Sequence, residues 1–408
     1  MLLQEKAQAL AEEEALNQQT AFFTLKLLCR LMGPSASAAF RPALDIVVDA
    51  LAPQRALQAP TPILASALLC LAELVQSMSV SSLPYLPRYG ANLVARLEDV
   101  AQAGHGHGAH SELLLLSVVT CVCKLVETLP QFLVPYLTPM LRHVCHLSTR
   151  HCKVVSGQEK PGQVQARLQT IRHALATATP PRALVASVVQ VYDQVPASSA
   201  SVAPLMAVLS ESFAAMPRQD LVAHLPTLTS FFVRALDARS TLGAAGATPD
   251  EMHRAEEPLV AALVSMVLKL SEASFRSLFF QLYDWATQGD ARPQRLVSFY
   301  NVTVQIAEKF KGLFVLFAGH FLANAAQVVT DANVTLKGAL PFAGPHAEAN
   351  TLTLLEYVLR CLYRICLHDN ENFINKVLFL FFSFLFFCSN ASTDHDPFPE
   401  APLPKCPS

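Results

Sequence analysis

A chain of 408 residues exceeds the roughly 100–200 residues that one ordinary core organises, so it is several domains or one elongated array. Hydrophobic residues make up 52% and charged residues 15%, against about 25% charged in a typical soluble domain, which excludes disorder over most of the length; 14 glycines leave too few tight turns for an all-β protein. The formal net charge of −2 excludes a global basic field for nucleic acid and an acidic excess for cationic substrates, so any charged partner has to be met locally.

Met1 to Ala15 is glutamate-rich and lacks a basic segment followed by an apolar one, so no secretory leader is read there, and the sequons at Asn301, Asn333 and Asn390 are taken as chance matches. Phe22, Leu25, Cys29 and Met32 follow at helical spacing, with Lys26 and Arg30 on another face. Cys29, Cys70, Cys121, Cys123, Cys361 and Cys366 sit in apolar runs, where a reduced thiol behaves as a small hydrophobe. Leu205, Leu209, Phe213 and Met216 repeat the helical pattern, as do Leu259, Leu263, Met266 and Leu270. Leu352, Leu355, Leu359, Leu362 and Cys366 give an apolar stripe expected to be buried, with Glu356, Arg360 and Arg364 as the solvated one. From Val377 to Cys388 every residue but Ser383 is apolar, yet a bilayer span needs about 20 residues, so no transmembrane helix is read and no membrane partner is expected.

Proline and glycine breaks leave helices of roughly 12–20 residues on short connectors, with no strand pattern between them. A weak repeat runs through them. Leu83-Pro-Tyr-Leu-Pro87, Leu133-Val-Pro-Tyr-Leu-Thr-Pro139 and Leu221-Val-Ala-His-Leu-Pro226 each precede an apolar helical run. Pro87 and Pro139 lie 52 residues apart, and Pro139 and Pro226 lie 87 apart, near two units of the ~40–47 residues of a HEAT repeat. Each such unit is an antiparallel helix pair, often with proline in the first turn. The predicted fold is therefore all-α, a HEAT-like α-solenoid of antiparallel helix pairs over residues 1–376.

No phosphate-cradling, dinucleotide, nucleophile-elbow or zinc-protease motif occurs, so no enzyme activity, cofactor or small-molecule substrate is expected. His105, His107 and His110 lie in a glycine-rich loop, and His143, Cys145, His146, His151 and Cys152 lack a paired Cys-x-x-Cys; no metal site is assigned to either. The charge feature is local. From Leu141 to Arg182 seven basic residues (Arg142, Arg150, Lys153, Lys160, Arg167, Arg172, Arg182) stand against Glu159 alone, +6 in 42 residues. Two readings remain open: a solubilising face beside a long loop, or RNA-phosphate contacts through Arg142, Arg150, Lys153, Arg167 and Arg172. No aromatic residue is interleaved, so stacking on single-stranded bases is not indicated.

Ser274 to Ala286 (SFRSLFFQLYDWA), Arg295 to Asn301 (RLVSFYN), Ile306 to Phe314 (IAEKFKGLF) and Leu316 to His320 (LFAGH) resemble the C-terminal domain of the HEAT repeat-containing protein 1 family, over about residues 180–335. Leu25 to Cys29 (LKLLC), Ser66 to Glu73 (SALLCLAE), Val126 to Pro130 (VETLP) and Val267 to Glu272 (VLKLSE) extend the likeness, in the same order, from about Leu25 to Lys376. The resemblance implies a nucleolar, non-enzymatic scaffold of the small-subunit processome. Such a scaffold works with processome proteins, the U-three small nucleolar RNA and precursor rRNA, supporting 18S pre-rRNA processing and rDNA transcription. A nuclear-transport or coat-type adaptor binding protein cargo shares the fold and is the rival reading.

Ser277 stands where the family usually has proline, and the chain departs from the family after Lys376. Residues 377–408, a phenylalanine-rich run followed by a proline-rich end, read either as translated non-coding sequence or as an alternative terminus. Being apolar all round, the run is expected to reduce solubility. Trp285, spaced with Leu278, Phe279 and Leu282, is expected in the core against Phe299 and Tyr300.

Overall fold

The computed structural model describes residues 2–56, 59–103, 109–151, 162–289, 292–333 and 340–368. The chain divides into two compact units, Met1–Phe275 and Arg276–Ser408. Among the described residues there is no strand. The apolar run from Val377 and everything after it lie outside the described residues.

In the first unit the helices are α1 (Leu2–Met32), α2 (Arg41–Ala50), α3 (Pro53–Ala56), α4 (Thr61–Met78), α5 (Leu86–Gln102), α6 (Ala109–Thr128), α7 (Leu137–Arg150), α8 (Gln163–Ala178), α9 (Pro181–Gln194), α10 (Val202–Ala215), α11 (Arg218–Leu236), α12 (Ala238–Ala244) and α13 (Pro249–Val267). They form two layers. One layer packs α1 on α4, α4 on α6, α6 on α8, α8 on α10 and α10 on α13; the other packs α5 on α7, α7 on α9 and α9 on α11. Successive helices thus alternate between layers, as antiparallel hairpins stacked side by side do.

α4 shows how the pattern is met. Its 18 residues are mostly apolar, and thirteen are buried, including Leu64, Leu68, Cys70, Leu71 and Leu74, because α1 and α6 both pack on it. A helix apolar on most of its surface belongs in such a core.

Helix starts follow the local chemistry. Pro62, Pro87 and Pro181 occupy first-turn positions, where the missing amide costs nothing. Thr248 and Glu251 close a reciprocal capping box at the head of α13. Pro226 departs from the expectation. It stands inside α11 rather than ahead of a helix, since α11 already begins at Arg218. Pro226 and Val222 are both exposed, so solvent can take the Val222 carbonyl that a proline leaves without an amide.

Side-chain ties between neighbouring repeats recur at a nearly constant sequence separation. Arg30 meets Glu73 at 43 residues, Arg88 meets Asp45 at 43, and Tyr136 reaches the Leu86 carbonyl at 50. Thr138 meets Ser187 at 49, and Tyr192 reaches the Ala235 carbonyl at 43. This ladder lies close to the 52 residues that separate Pro87 and Pro139, both in the first turn of a helix.

The second unit contains the remainder of α14 (Glu272–Thr287), then α15 (Arg292–Phe310), α16 (Val315–Asp331) and α17 (Ala347–His368). Its centre is Phe279, whose ring lies 5.7 Å from Phe299 and Phe317 and 6.1 Å from Phe314 and Phe321. Trp285, expected in that position, is instead only half-buried, with the Arg295 guanidinium 5.5 Å from its ring centroid. Indole and guanidinium suit a partly wet site, whereas a phenyl ring carries nothing that needs a partner.

α17 also differs from expectation. Leu352 and Leu359 are exposed, and the buried stripe is Leu354, Val358, Cys361 and Ile365. Two apolar stripes run along this helix, and packing on α15 and α16 selects one of them. The Arg360 and Arg364 guanidiniums both reach Glu308 of α15, at 3.4 and 3.1 Å, so that stripe is a bridge between helices.

The first and last described helices share a surface pattern. Leu16, Phe23, Leu27 and Leu31 on α1 are exposed at i, i+7, i+11 and i+15, and Leu352, Leu359, Tyr363 and Leu367 on α17 are exposed at the same offsets. Met32, expected on the buried stripe of α1, is exposed as well, while Phe22 and Cys29 are buried as expected.

Candidate nucleic-acid interface

Among the described residues the basic segment lies on α7 and α8, with Arg182 in the first turn of α9. α7 starts at Leu137, with Pro139 in its first turn, and buries Met140, Leu141, Val144, Cys145 and Leu147. Arg142, His146 and Arg150 therefore share the opposite face at i, i+4 and i+8. Arg142 is exposed. Arg150 is half-buried, and its Nη1 donates to the Ala101 carbonyl at 2.8 Å, a cation set on the C-terminal end of α5.

α8 buries Leu168, Ile171 and Leu175, and helical geometry puts Arg167 and Arg172 on opposite flanks of that stripe. Each is half-buried, with an Nε that has no hydrogen-bond partner. The Arg167 charge acts on Cys123 of α6, and the Arg172 charge on Cys145 of α7. The four of these residues that are described, Arg142, Arg150, Arg167 and Arg172, therefore do not share one continuous stripe. α7 offers Arg142, with Arg150 partly committed to α5; α8 offers Arg167 and Arg172 on two different flanks. Lys153 and Lys160 lie outside the described residues.

Burial sets the charge of the rest of the segment. The His143 imidazole is pushed below its ordinary value chiefly by desolvation, with Glu98 opposing and Arg142 and His146 reinforcing. His146 moves the same way, through desolvation and then Arg150 and Arg142. Both are neutral at pH 7, so the positive charge here belongs to the arginines. Desolvation pushes the Cys145 thiol up to about 12, although the Arg172 charge opposes it, and the Cys123 thiol up to about 11. Neither is a nucleophile at neutral pH.

Of the histidine and cysteine clusters, His143 and Cys145 are buried and His146 is exposed, so α7 does not converge them on one point; His105, His107 and Cys152 lie outside the described residues. Among the described residues no group of three metal-ligating side chains is brought together.

Across 376 residues the chain is 36% identical to the human HEAT repeat-containing protein 1, an alignment covering 92% of this chain. The chain belongs to the HEAT repeat-containing protein 1 family. The zebrafish (Danio rerio) HEAT repeat-containing protein 1 is 34% identical over 380 residues and 90% of this chain. The U3 small nucleolar RNA-associated protein 10 of Aspergillus terreus is 26% identical over 167 residues, 38% of this chain and 9% of its own length. Residues 220–374 match the BP28CT (NUC211) domain. The chain spans 17% of the length of the human and zebrafish relatives. As a member of the HEAT repeat-containing protein 1 family, it is an all-α, HEAT-like α-solenoid.

Proposed function

We propose that this chain is a non-enzymatic scaffold of ribosome biogenesis, acting in the nucleolus as part of the small-subunit processome. It would support 18S pre-rRNA processing and rDNA transcription by holding processome proteins, the U3 small nucleolar RNA and precursor rRNA on its helical repeats. The observation that carries this reading is the likeness over 92% of the chain to HEAT repeat-containing protein 1, joined to a fungal relative whose name records U3 small nucleolar RNA association. Stacked helix pairs suit the role, because they offer extended surface in place of a single pocket.

RNA contact, in the same proposal, is made by the basic segment. Arg142, Arg167 and Arg172 supply guanidiniums, Lys153 adds an ammonium from outside the described residues, and Arg150 contributes beside its tie to α5. Guanidinium pairs well with phosphate through its fork of donors. The test is affinity purification of the tagged chain from nuclear extract, with sequencing of bound RNA and mass spectrometry of bound proteins. Enrichment of U3 RNA and processome proteins is the expected result. Enrichment of transport or coat proteins with no U3 RNA would overturn the reading.

A further inference from the structure

The basic segment also borders a cleft. Gln165, Gln169 and Arg172 of α8 face Ala203 and Ala207 of α10, with Ser148 of α7 at one end, around a volume of about 390 Å³. The α8 residues fall at i, i+4 and i+7 and the α10 residues at i and i+4, so each helix contributes one continuous face. Small side chains on α10 make the gap. The cleft is mostly apolar, and Arg172 is the charged side chain among the described residues that line it. Its Nε is buried with no hydrogen-bond partner. The nearest carboxylate further along α10, Glu211, is tied to His173 Nδ1 at 3.1 Å.

A mostly apolar cleft whose lining includes two side-chain amides and a guanidinium has the chemistry for one nucleotide. No aromatic ring is among the described residues that line it, so in place of ring stacking Ala203 and Ala207 give a base apolar contact, while the Gln165 and Gln169 amides donate to and accept from its edge and Arg172 takes the phosphate. We propose that this cleft receives an unpaired base of RNA, so that the protein holds single-stranded RNA more tightly than duplex. The proposal rests on the reading of the basic segment as an RNA-contacting surface and names the form of RNA it takes. A paired base has neither its faces nor its edge free to enter such a slot, and in an A-form helix the bases are withdrawn from side chains.

The experiment uses the full chain and two probes, a short fluorescent single-stranded RNA of mixed sequence and the duplex it forms with its complement. Ala203 is exposed, so Ala203→Trp fills the cleft without touching the core. Ala203→Trp is expected to weaken single-strand binding about tenfold and to leave duplex binding within about twofold. Arg172→Gln is expected to lower the salt slope for the single strand by about 0.7, one phosphate contact. Gln169→Ala tests the edge contact should the tryptophan variant fail to fold, and is expected to weaken the single strand alone.

Unchanged single-strand affinity in folded Ala203→Trp, or in Gln169→Ala, overturns the cleft while leaving the basic surface intact, provided the parent still binds with a steep salt dependence. A parent chain that binds neither probe overturns both.

Discussion

Tyr136 occupies the space that a side chain at Gly90 would need. A Cβ on Gly90 would stand 2.8 Å from two carbons of the Tyr136 ring, and the Tyr136 hydroxyl donates to the Leu86 and Pro87 carbonyls at 3.4 Å. The glycine in the second turn of α5 is therefore a docking point for the connector of the following repeat. Gly90→Ala gains up to about 1 kcal/mol of helix propensity but forces overpacking that costs about 1–3 kcal/mol. The net expectation is a lower denaturation midpoint. The same substitution in a Tyr136→Leu background should lose its penalty, and equal costs in both backgrounds would disprove the contact.

Arg239 of α12 and Glu256 of α13 form an ion pair at 3.0 Å with side chains 1% and 3% exposed. Removing one partner leaves the other charge in the interior, so Glu256→Ala is expected to destabilise by about 3–5 kcal/mol. Arg239→Met combined with Glu256→Leu should recover most of that loss. Urea titration of the three variants decides it; a single mutant as stable as the double would show that the pair carries little.

Phe279 rather than Trp285 anchors the second unit. Phe279→Ala is expected to cost about 3–5 kcal/mol, whereas Trp285→Ala, half-buried under Arg295, should cost about 1–2 kcal/mol. Thermal denaturation of both variants should show the larger drop for Phe279→Ala. The reverse order would put the indole at the centre of the core.

Acid should loosen α7. His143 and His146 both titrate below 6.5 in the folded chain, because burial and the neighbouring arginines disfavour the imidazolium. The unfolded chain then binds more protons than the folded one as pH falls below about 6.5, so stability is complete above that value and declines through the two lowered values. A stability–pH profile should fall on the acid side, and His143→Gln should shallow it. An identical profile in the variant would assign the fall to other groups.

Arg142 and Arg150 should separate by function. Arg142→Gln is expected to weaken RNA binding and flatten its salt dependence without moving the denaturation midpoint. Arg150→Gln should lower stability by about 1 kcal/mol, through the lost bond to Ala101. Indistinguishable melting of the two variants would mean that the Ala101 contact contributes nothing.

Much of this was legible in the sequence, and the failures have physical causes. Leu205, Leu209, Phe213 and Met216 are buried as their spacing predicts, because α10 is packed between α8 and α13. α17 has two apolar stripes, and periodicity alone does not choose between them; Leu354 and Val358 went inward and Leu352 and Leu359 outward. Pro226 reads as a helix start because the sequence does not reveal that its free carbonyl partner would be exposed. For Arg167 and Arg172, composition reveals a charge excess but not its division between two flanks of α8. The Arg172 cleft left no sequence signal beyond the small residues Ala203 and Ala207, which look like ordinary helix formers.

The recurrence of cross-repeat bonds at separations near 43–50 residues has a kinetic consequence. Each tie closes a loop of about the same size wherever it lies, so the entropy of closure is set by the repeat rather than by chain length. In the first unit a hairpin can gain its native contacts as soon as its neighbour exists, without waiting for distant segments to diffuse together. Relatives about six times as long, judged by the 17% that this chain spans, can therefore be assembled by the same short-range code as they emerge during synthesis.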